Sequence, residues 1–350
     1  MKKIIFVAIC ILLSAAVLIS CSAPTPAASS AAPASSAAPA SSAAPASSAA
    51  PASEEASQAA AGADGLVGIS VPKAPTGWVA AVQYFAKQEA DKLGLNYKLV
   101  ASENTNEQAN QVDELIGMGC KVIILFPHND ELAVAAQKVM DAGIPLINFD
   151  RTINPSVPTY YLAGDNYSMG VIGADYINEK LGGKGKVVIC GVPSYGDAVN
   201  GERIKGFKDR IAEIAPDIEI IGEYGSENAS PEAALTTMTD VLTANPQIDG
   251  IYSIDDELDV GLLQAIDEAK RTDIKVMTGG GGAQVWFQKM LDHPDMALSS
   301  QLYSPLMIKD CVDMAQKILN GEKVEAKTII PSKTVDASNV QEYLDENSPY

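Results

Sequence analysis

The stretch KVIILFPHNDELAVAAQKVMDAGIPLINFDR, residues 121–151, decides the fold class. Lys121–Phe126 is almost wholly apolar, the pattern of a strand in a parallel sheet covered on both faces. Glu131–Ala142 reads as a helix, and Ile144–Phe149 is a second buried strand. Asp150-Arg151 then follows directly on that strand.

Working outward, the same rhythm continues in both directions. Upstream, Leu66–Val71 is a β-branched-rich strand. Gly77–Leu93 is a helix with Trp78, Val82, Phe85 and Leu93 spaced for one face, stopped by Gly94. Lys98–Ala101 is a strand and Glu107–Met118 a helix ended by Gly119. Downstream, helices are expected over Tyr167–Leu181, Ala198–Ile214, Pro231–Ala244, Leu258–Ala269 and Pro305–Leu319. Strands are expected over Lys186–Cys190, Ile218–Ile221, Gly250–Ile254, Ile274–Thr278 and Met296–Gln301. Strands alternating with helices of this length mean parallel α/β sheets. About ten strands fit two sheets of five to six better than one. The expected fold is α/β, with two similar doubly wound parallel-sheet lobes facing each other.

The amino-terminal segment has a different character. Met1-Lys2-Lys3 is basic and Ile4–Ile19 is apolar, as in a signal peptide. At about 16 residues the run is short for a membrane span, which needs roughly 20. Leu18-Ile19-Ser20-Cys21 resembles the bacterial lipobox, which implies cleavage before Cys21 and lipid on its sulfur. Several acyl chains on one residue make a durable membrane anchor. Residues 22–63 repeat Ser-Ser-Ala-Ala-Pro-Ala, with Pro33, Pro39, Pro45 and Pro51 at equal spacing. Such a segment cannot form helix and has little to bury, so it reads as a disordered stalk. Its reach of ~35–40 Å suits a Gram-positive cell surface. In a Gram-negative cell the same protein would sit in the periplasm.

The formal charge is −19, which argues against nucleic acid and anionic membrane surfaces as partners. Of five cysteines, Cys10 leaves with the signal and Cys21 is the anchor. Cys120, Cys190 and Cys311 are expected as buried thiols without a disulfide framework.

Ligands of parallel α/β sheets bind beyond the carboxyl ends of the strands. The informative loops are therefore Pro72–Trp78, Pro127–Asp130, Asp150–Arg151, Gly191–Asp197, Asp255–Glu257, Gly279–Gly282 and Gln301–Ser304. Trp78 is either a stacking platform for a sugar ring or a core residue under its helix, and Thr76 is placed to cap that helix. A carboxylate accepts two hydroxyl hydrogen bonds and a guanidinium donates in a fixed fork, so Asp150 with Arg151 suits a vicinal diol. Asp255 heads a run of acids, Asp256, Glu257 and Asp259, that either caps a helix or accepts from ligand. Arg203 in Asn200–Phe207 reads by itself as a solvated helix arginine. Gln301 either bonds a ligand hydroxyl or pins a backbone crossing.

Enzyme chemistry finds little support. Gly182–Lys186 and Gly279–Gly282 lack the Lys-Ser/Thr of a phosphate loop and read as turns. Gly191–Gly196 has the wrong spacing for a nucleophile elbow. His128 and His293 are the only histidines, and no zinc spacing occurs. Neither a metal nor a cofactor is expected.

Taken in order, these segments resemble the type I periplasmic binding proteins, in particular the ribose and monosaccharide branch. Glu89-Ala90-Asp91-Lys92-Leu93-Gly94 is similar to the end of that family's first helix. Asn148-Phe149-Asp150-Arg151 resembles its Asp-Arg ligand pair, and Ala163-Gly164-Asp165-Asn166 its first crossing between lobes. Glu202-Arg203 before Gly206-Phe207 resembles its second arginine. Ser253-Ile254-Asp255-Asp256-Glu257 is similar to its strand-end Asn-Asp-Glu, Gln301 to its late glutamine, and Leu319-Asn320-Gly321-Glu322 to the stretch before the third crossing.

The resemblance implies a monomeric binding protein of an ABC importer, with no enzymatic activity, closing around a monosaccharide by a three-stranded hinge. Hinge segments would lie at Gly164–Asn166, Gln301–Leu302 and Thr328–Pro331. It implies a domain plan of signal peptide 1–20, lipid-anchored linker 21–63, an N-terminal lobe of 64–164 with 302–330, and a C-terminal lobe of 165–301 with 331–350. Trp78, Asp150, Arg151, Arg203, Asp255 and Gln301 are the implied ligand contacts, and the permease is the implied protein partner. The chain departs from the pattern at Phe126, Ala229 and Gly280, which implies a roomier corner on the second lobe that Trp286 or Tyr303 would refill. A receptor for a sugar-like signal such as an autoinducer, and a nucleoside-binding lipoprotein, are the alternatives.

Overall fold

A computed structural model describes residues 65–155 and 158–350. The expected signal peptide, the linker and Cys21 lie outside the described residues. In chain order the elements are β1 (Val67–Pro72), α1 (Gly77–Lys92), β2 (Tyr97–Ser102), α2 (Thr105–Gly117), β3 (Val122–Leu125), α3 (Ala133–Asp141), β4 (Leu146–Phe149) and β5 (Tyr160–Gly164). They continue with α4 (Asn166–Leu181), β6 (Lys184–Gly191), α5 (Glu202–Ile214), β7 (Asp217–Gly225), α6 (Pro231–Ala244), β8 (Gly250–Ser253), α7 (Asp256–Glu268) and β9 (Val276–Gly280). The last are α8 (Gln284–Asp292), β10 (Ala297–Gln301), α9 (Ile308–Leu319), β11 (Lys327–Ile330) and β12 (Thr334–Asp336).

The strands form two six-stranded sheets, ordered β2-β1-β3-β4-β5-β11 and β7-β6-β8-β9-β10-β12. All pairings are parallel except β10 with β12. Each sheet starts from a central strand and winds outward both ways, so each has a switch point, between β1 and β3 in lobe one and between β6 and β8 in lobe two. Every residue of β1, β3, β4, β8 and β9 is buried, as strands covered on both faces require.

The chain crosses between lobes three times. It passes from β5 through Asp165 into α4, from β10 through Leu302 and Tyr303 towards α9, and from β11 through Pro331–Lys333 into β12. The crossings are tied together: Asp165 N donates to Ile330 O (3.2 Å) and Leu302 N to Lys333 O (2.8 Å).

In lobe two, α4 and α5 meet at backbone contact. A Cβ on Gly170 would collide with the Arg203 carbonyl, and one on Gly206 with the Tyr167 carbonyl. These two glycines therefore set how deep α5, and Arg203 with it, sits against the sheet.

Several expectations need correction. The described residues hold twelve strands, since β12 was not anticipated and β5 and β11 were read only as crossings. Helix α8 was also missed. Lys184 already begins β6, and Gly279 and Gly280 belong to β9, so neither glycine run is wholly a turn. The helix expected from Ala198 opens with a π-turn at Asp197–Gly201 before α5, and the one expected from Pro305 opens with a 3₁₀ turn. Thr76 does not cap α1: its side chain makes no cap hydrogen bond. Cys120, Cys190 and Cys311 are free and buried.

Candidate functional site

Lobe one presents aromatic rings. Trp78 sits in the first turn of α1, just after Gly77, whose φ of +78° places it in the left-handed region open to glycine. The Trp78 ring lies parallel to Phe149 (centroids 6.0 Å, 3°) and edge-on to Phe126 (5.9 Å, 79°). Its indole Nε1 donates to the Tyr303 carbonyl at 2.7 Å. The two readings of Trp78 thus merge, because this half-buried ring packs on the lobe's aromatics and also stands where α1 meets the crossing strand.

Asp150 follows β4 with φ 62°, an uncommon conformation that Asp tolerates better than most residues. Non-glycine residues held there cluster at functional sites. Its backbone N–H donates to Leu162 O (2.8 Å) and its carbonyl accepts from the Tyr161 hydroxyl (2.7 Å). Its Oδ1 accepts from the Tyr303 hydroxyl at 2.6 Å. Burial raises its pKa, against the Tyr303 hydrogen bond and the charges of Arg151 and Arg203. Arg151 stacks over Phe126 at 4.8 Å and donates from Nη1 to His128 O at 3.0 Å. Among the described residues its Nε and Nη2 donate to no partner.

Lobe two presents charge. Arg203 is 5% exposed, so the solvated arginine of the bare sequence is in fact buried. Its Nε donates to Asn166 Oδ1 (2.8 Å) and its Nη1 to Ile254 O (2.7 Å), and the guanidinium lies 4.9 Å over the Tyr303 ring. Asp255 caps α7, its Oδ1 accepting from Glu257 N (2.9 Å) and Leu258 N (3.4 Å). Burial lifts its pKa to about 6, with Arg203 pulling the other way.

Its neighbours are more perturbed. Asp256 Oδ2 accepts from Gly282 N (2.7 Å), Ala283 N (3.0 Å) and Ser300 Oγ (2.6 Å), yet burial lifts this group to about 7. Burial, then the charges of Asp255 and Asp256, brings Glu257 to about 7. The Glu257 carboxylate reaches across to lobe one, where a side chain at Gly77 would meet it at 3.2 Å. Asp259 is fully buried, and among the described residues neither of its oxygens has a partner. Burial and then Asp256 raise its pKa well above the ordinary value.

Tyr303 is the hub. It joins Asp150 through its hydroxyl, Trp78 through its carbonyl and Arg203 through its ring, and so links both lobes from the crossing itself. Trp78, Asp150, Arg151, Arg203 and Asp255 are brought to this cleft. Gln301 is not: it is fully buried, with Nε2 donating to Thr278 and Ser299 and Oε1 accepting from Thr334 (2.9, 3.1 and 2.7 Å). It takes the pinning role, holding β9, β10 and β12 together. Trp286 does not refill the second lobe's corner, since it is fully buried with Nε1 on Ser299 O. Gly280 faces the Met169 methyl, leaving no room for a side chain. Glu257 was read from sequence only as a member of the acidic run, and its place in the first turn of α7, at the end of β8, was the signal that marked it.

Carboxylates, guanidinium donors and an aromatic ring at one cleft suit a polyhydroxylated ligand, with donors and acceptors for hydroxyls and a platform for C–H faces. Among the described residues no group of His, Cys, Asp or Glu is arranged to hold a metal ion, and no helix is long and apolar enough to cross a membrane.

Two doubly wound lobes, three crossings and a charged, ring-lined cleft define a two-lobed ligand-binding architecture. The chain belongs to the periplasmic binding protein family, whose domain model matches residues 67–323, and that family is extracytoplasmic. The ribose import binding protein of Escherichia coli is 31% identical over 254 residues, covering 71% of this chain and 83% of that protein. The D-apiose import binding protein of Paraburkholderia graminis is 31% identical over 211 residues, covering 57% and 67%. In fold, the chain is similar to an ABC transporter periplasmic solute binding protein of Actinobacillus succinogenes solved with bound D-allose. That structure has a TM-score of 0.71 at 22% identity, covering 80% of this chain and all of that one.

Proposed function

We propose that this protein is an extracytoplasmic lipoprotein that binds a monosaccharide between its lobes and delivers it to an ABC importer permease. The observation that carries the reading is the Asp150–Tyr303–Arg203 connection, which places an acceptor from lobe one and a donor from lobe two on the same crossing residue. Asp150, Arg151, Arg203 and Asp255 bond the sugar hydroxyls, and Trp78 supplies the stacking surface. Gln301 acts indirectly, by pinning the strand that leads into Tyr303. The lobes, 64–164 with 302–330 and 165–301 with 331–350, close about the three crossings, because only a ligand touching both favours the closed state. Lipid on Cys21 and the Ala/Pro/Ser linker hold a monomer at the membrane near the permease. The names of the relatives, ribose and D-apiose import binding proteins, support both the sugar class and the import role.

Thermal unfolding against D-ribose, D-apiose, D-allose, xylitol, myo-inositol and a set of nucleosides tests this reading. Ligand at 100 times its Kd adds about 2.7 kcal/mol of stability, a clear rise in Tm. A rise with one of the sugars or polyols is expected. A rise with nucleosides alone, or with nothing, overturns the monosaccharide assignment. Small-angle scattering should then show the bound protein more compact than the free one, and an unchanged radius would contradict lobe closure.

A further inference from the structure

Resting on that reading, we propose that Tyr350 forms the second-lobe wall of the sugar cleft and determines which sugars fit. The end of β9 is a strand-end position where a doubly wound sheet contacts its ligand, and here Gly279–Gly282 brings no side chain to it. Tyr350 fills that corner. It is 7% exposed, and its hydroxyl stands where a side chain on Gly281 would have to go, the same point lying 3.6 Å from Asp256 Oδ2. Gly281 has φ +144°, so the position favours glycine on backbone grounds as well.

The segment carrying Tyr350 is built into lobe two. Gln284, the first residue of α8, brackets it, with Nε2 donating to Tyr343 O (3.0 Å) and Oε1 accepting from Asp345 N (2.8 Å). A turn follows, with Asn347 N on Asp345 Oδ1 (2.9 Å), Ser348 N on Asp345 O (3.0 Å) and Ser348 Oγ on Tyr350 O (2.8 Å). The turn carries Tyr350 back between the lobes. There it lines a cavity of about 240 Å³ with Thr76 and Gly77 of lobe one and Glu257 of lobe two.

The hydroxyl is the telling atom. It is buried, yet among the described residues it has no hydrogen-bond partner. Buried polar groups in folded proteins are nearly always paired, so an orphan beside a cavity marks a place for a ligand atom. Burial, then Asp255, Asp256 and Glu257, keep this phenol protonated, so it is a neutral donor. A sugar hydroxyl is the matching acceptor. The ring meanwhile blocks substituents at that corner, which favours a bare monosaccharide over its glycosides.

Titration calorimetry on the purified full chain and its Tyr350→Phe and Tyr350→Ala variants tests this, using the same five sugars and polyols and the methyl glycosides of the sugars. Tyr350→Phe keeps the ring and should weaken the sugar by about threefold to tenfold, the loss of one hydrogen bond, at unchanged Tm. Tyr350→Ala should weaken it further while narrowing the gap between sugar and methyl glycoside. Wild-type affinity in both variants overturns the assignment, and so does tighter binding by Tyr350→Ala, which would make the residue a plug. If the wild type binds none of the five, the monosaccharide reading fails and takes this proposal with it. If the wild type binds and the variants match it, only the Tyr350 assignment falls.

Discussion

On one side of the cleft, Trp78, Phe126 and Phe149 pack ring against ring, and the charges of Asp150 and Arg151 sit on that aromatic floor. On the other, Asp255, Asp256, Glu257 and Asp259 crowd the start of α7, with Arg203 as a cationic neighbour of Asp255. The aromatic side owes its shape to packing, which salt and pH barely touch. The acidic side owes its state to burial, which holds three carboxyls at about 6 to 7 and raises a fourth well above the ordinary carboxylate value. Lobe one is thus a ring-packed platform that carries Asp150, while lobe two gathers several carboxyls whose charge depends on how deeply they are covered.

The largest effect should come from cutting the link between the two sides. Arg203→Ala removes a buried donor and the cation over Tyr303, and should weaken the sugar at least ~100-fold, since hydrogen bonds involving charged groups are worth about 1.5–3 kcal/mol each. Calorimetry reads this directly, and a loss under tenfold would detach Arg203 from the ligand. On the aromatic side, Trp78→Ala should cost about 3 kcal/mol of stability by denaturant unfolding as well as weakening the sugar. A variant that keeps wild-type stability would mean the ring stack does not hold the lobe.

The acidic side should reveal itself through pH. A carboxyl whose pKa is higher folded than unfolded binds more protons in the folded state. Its stabilising contribution is complete below about 4 and is lost as pH rises through about 7. The ligand-free Tm should therefore fall between pH 4 and 8. Asp256→Asn should flatten that fall and raise stability at pH 8 by about 1–2 kcal/mol, because an amide oxygen can still accept from Gly282 and Ala283 without a buried charge. A steeper fall in the variant would contradict burial as the cause. The smallest effect belongs to the surface: Lys87→Ala breaks an exposed ion pair with Asp91 and should change stability by less than ~0.5 kcal/mol.

Much of this architecture is readable in the chain because nearly apolar strands covered on both faces leave a strong signal. Lys121–Phe126 and Ile144–Phe149 could hardly be anything else. The strands that escaped are partly exposed. β11 alternates exposed and intermediate residues and β12 has three residues, so neither carries the apolar run of a central strand. Helix α8 has Ala283 as its N-cap, without a side-chain cap, straight after four glycines. At the site, Asp150, Arg151 and Asp255 were legible because they stand directly after strands. Arg203 read by itself as a solvated arginine and was placed at the site only by the resemblance, since its burial depends on the close α4–α5 approach at Gly170 and Gly206 and on its bonds to Asn166 and Ile254. Tyr303 and Tyr350 owe their places to long-range closure, of the crossing in one case and of a turn held by Gln284 in the other. No local pattern encodes either. Gln301 shows the reverse: a strand-end amide aimed by its neighbours into the sheet rather than the cleft.

The most direct test of a sugar held between the two sides is a paired calorimetric titration of wild type and Arg203→Ala with D-ribose, D-apiose, D-allose, xylitol and myo-inositol. The expected result is a saturable one-site isotherm for one of them in the wild type that disappears in the variant at the same concentrations. No isotherm with any of the five, or one that survives Arg203→Ala unchanged, would contradict it.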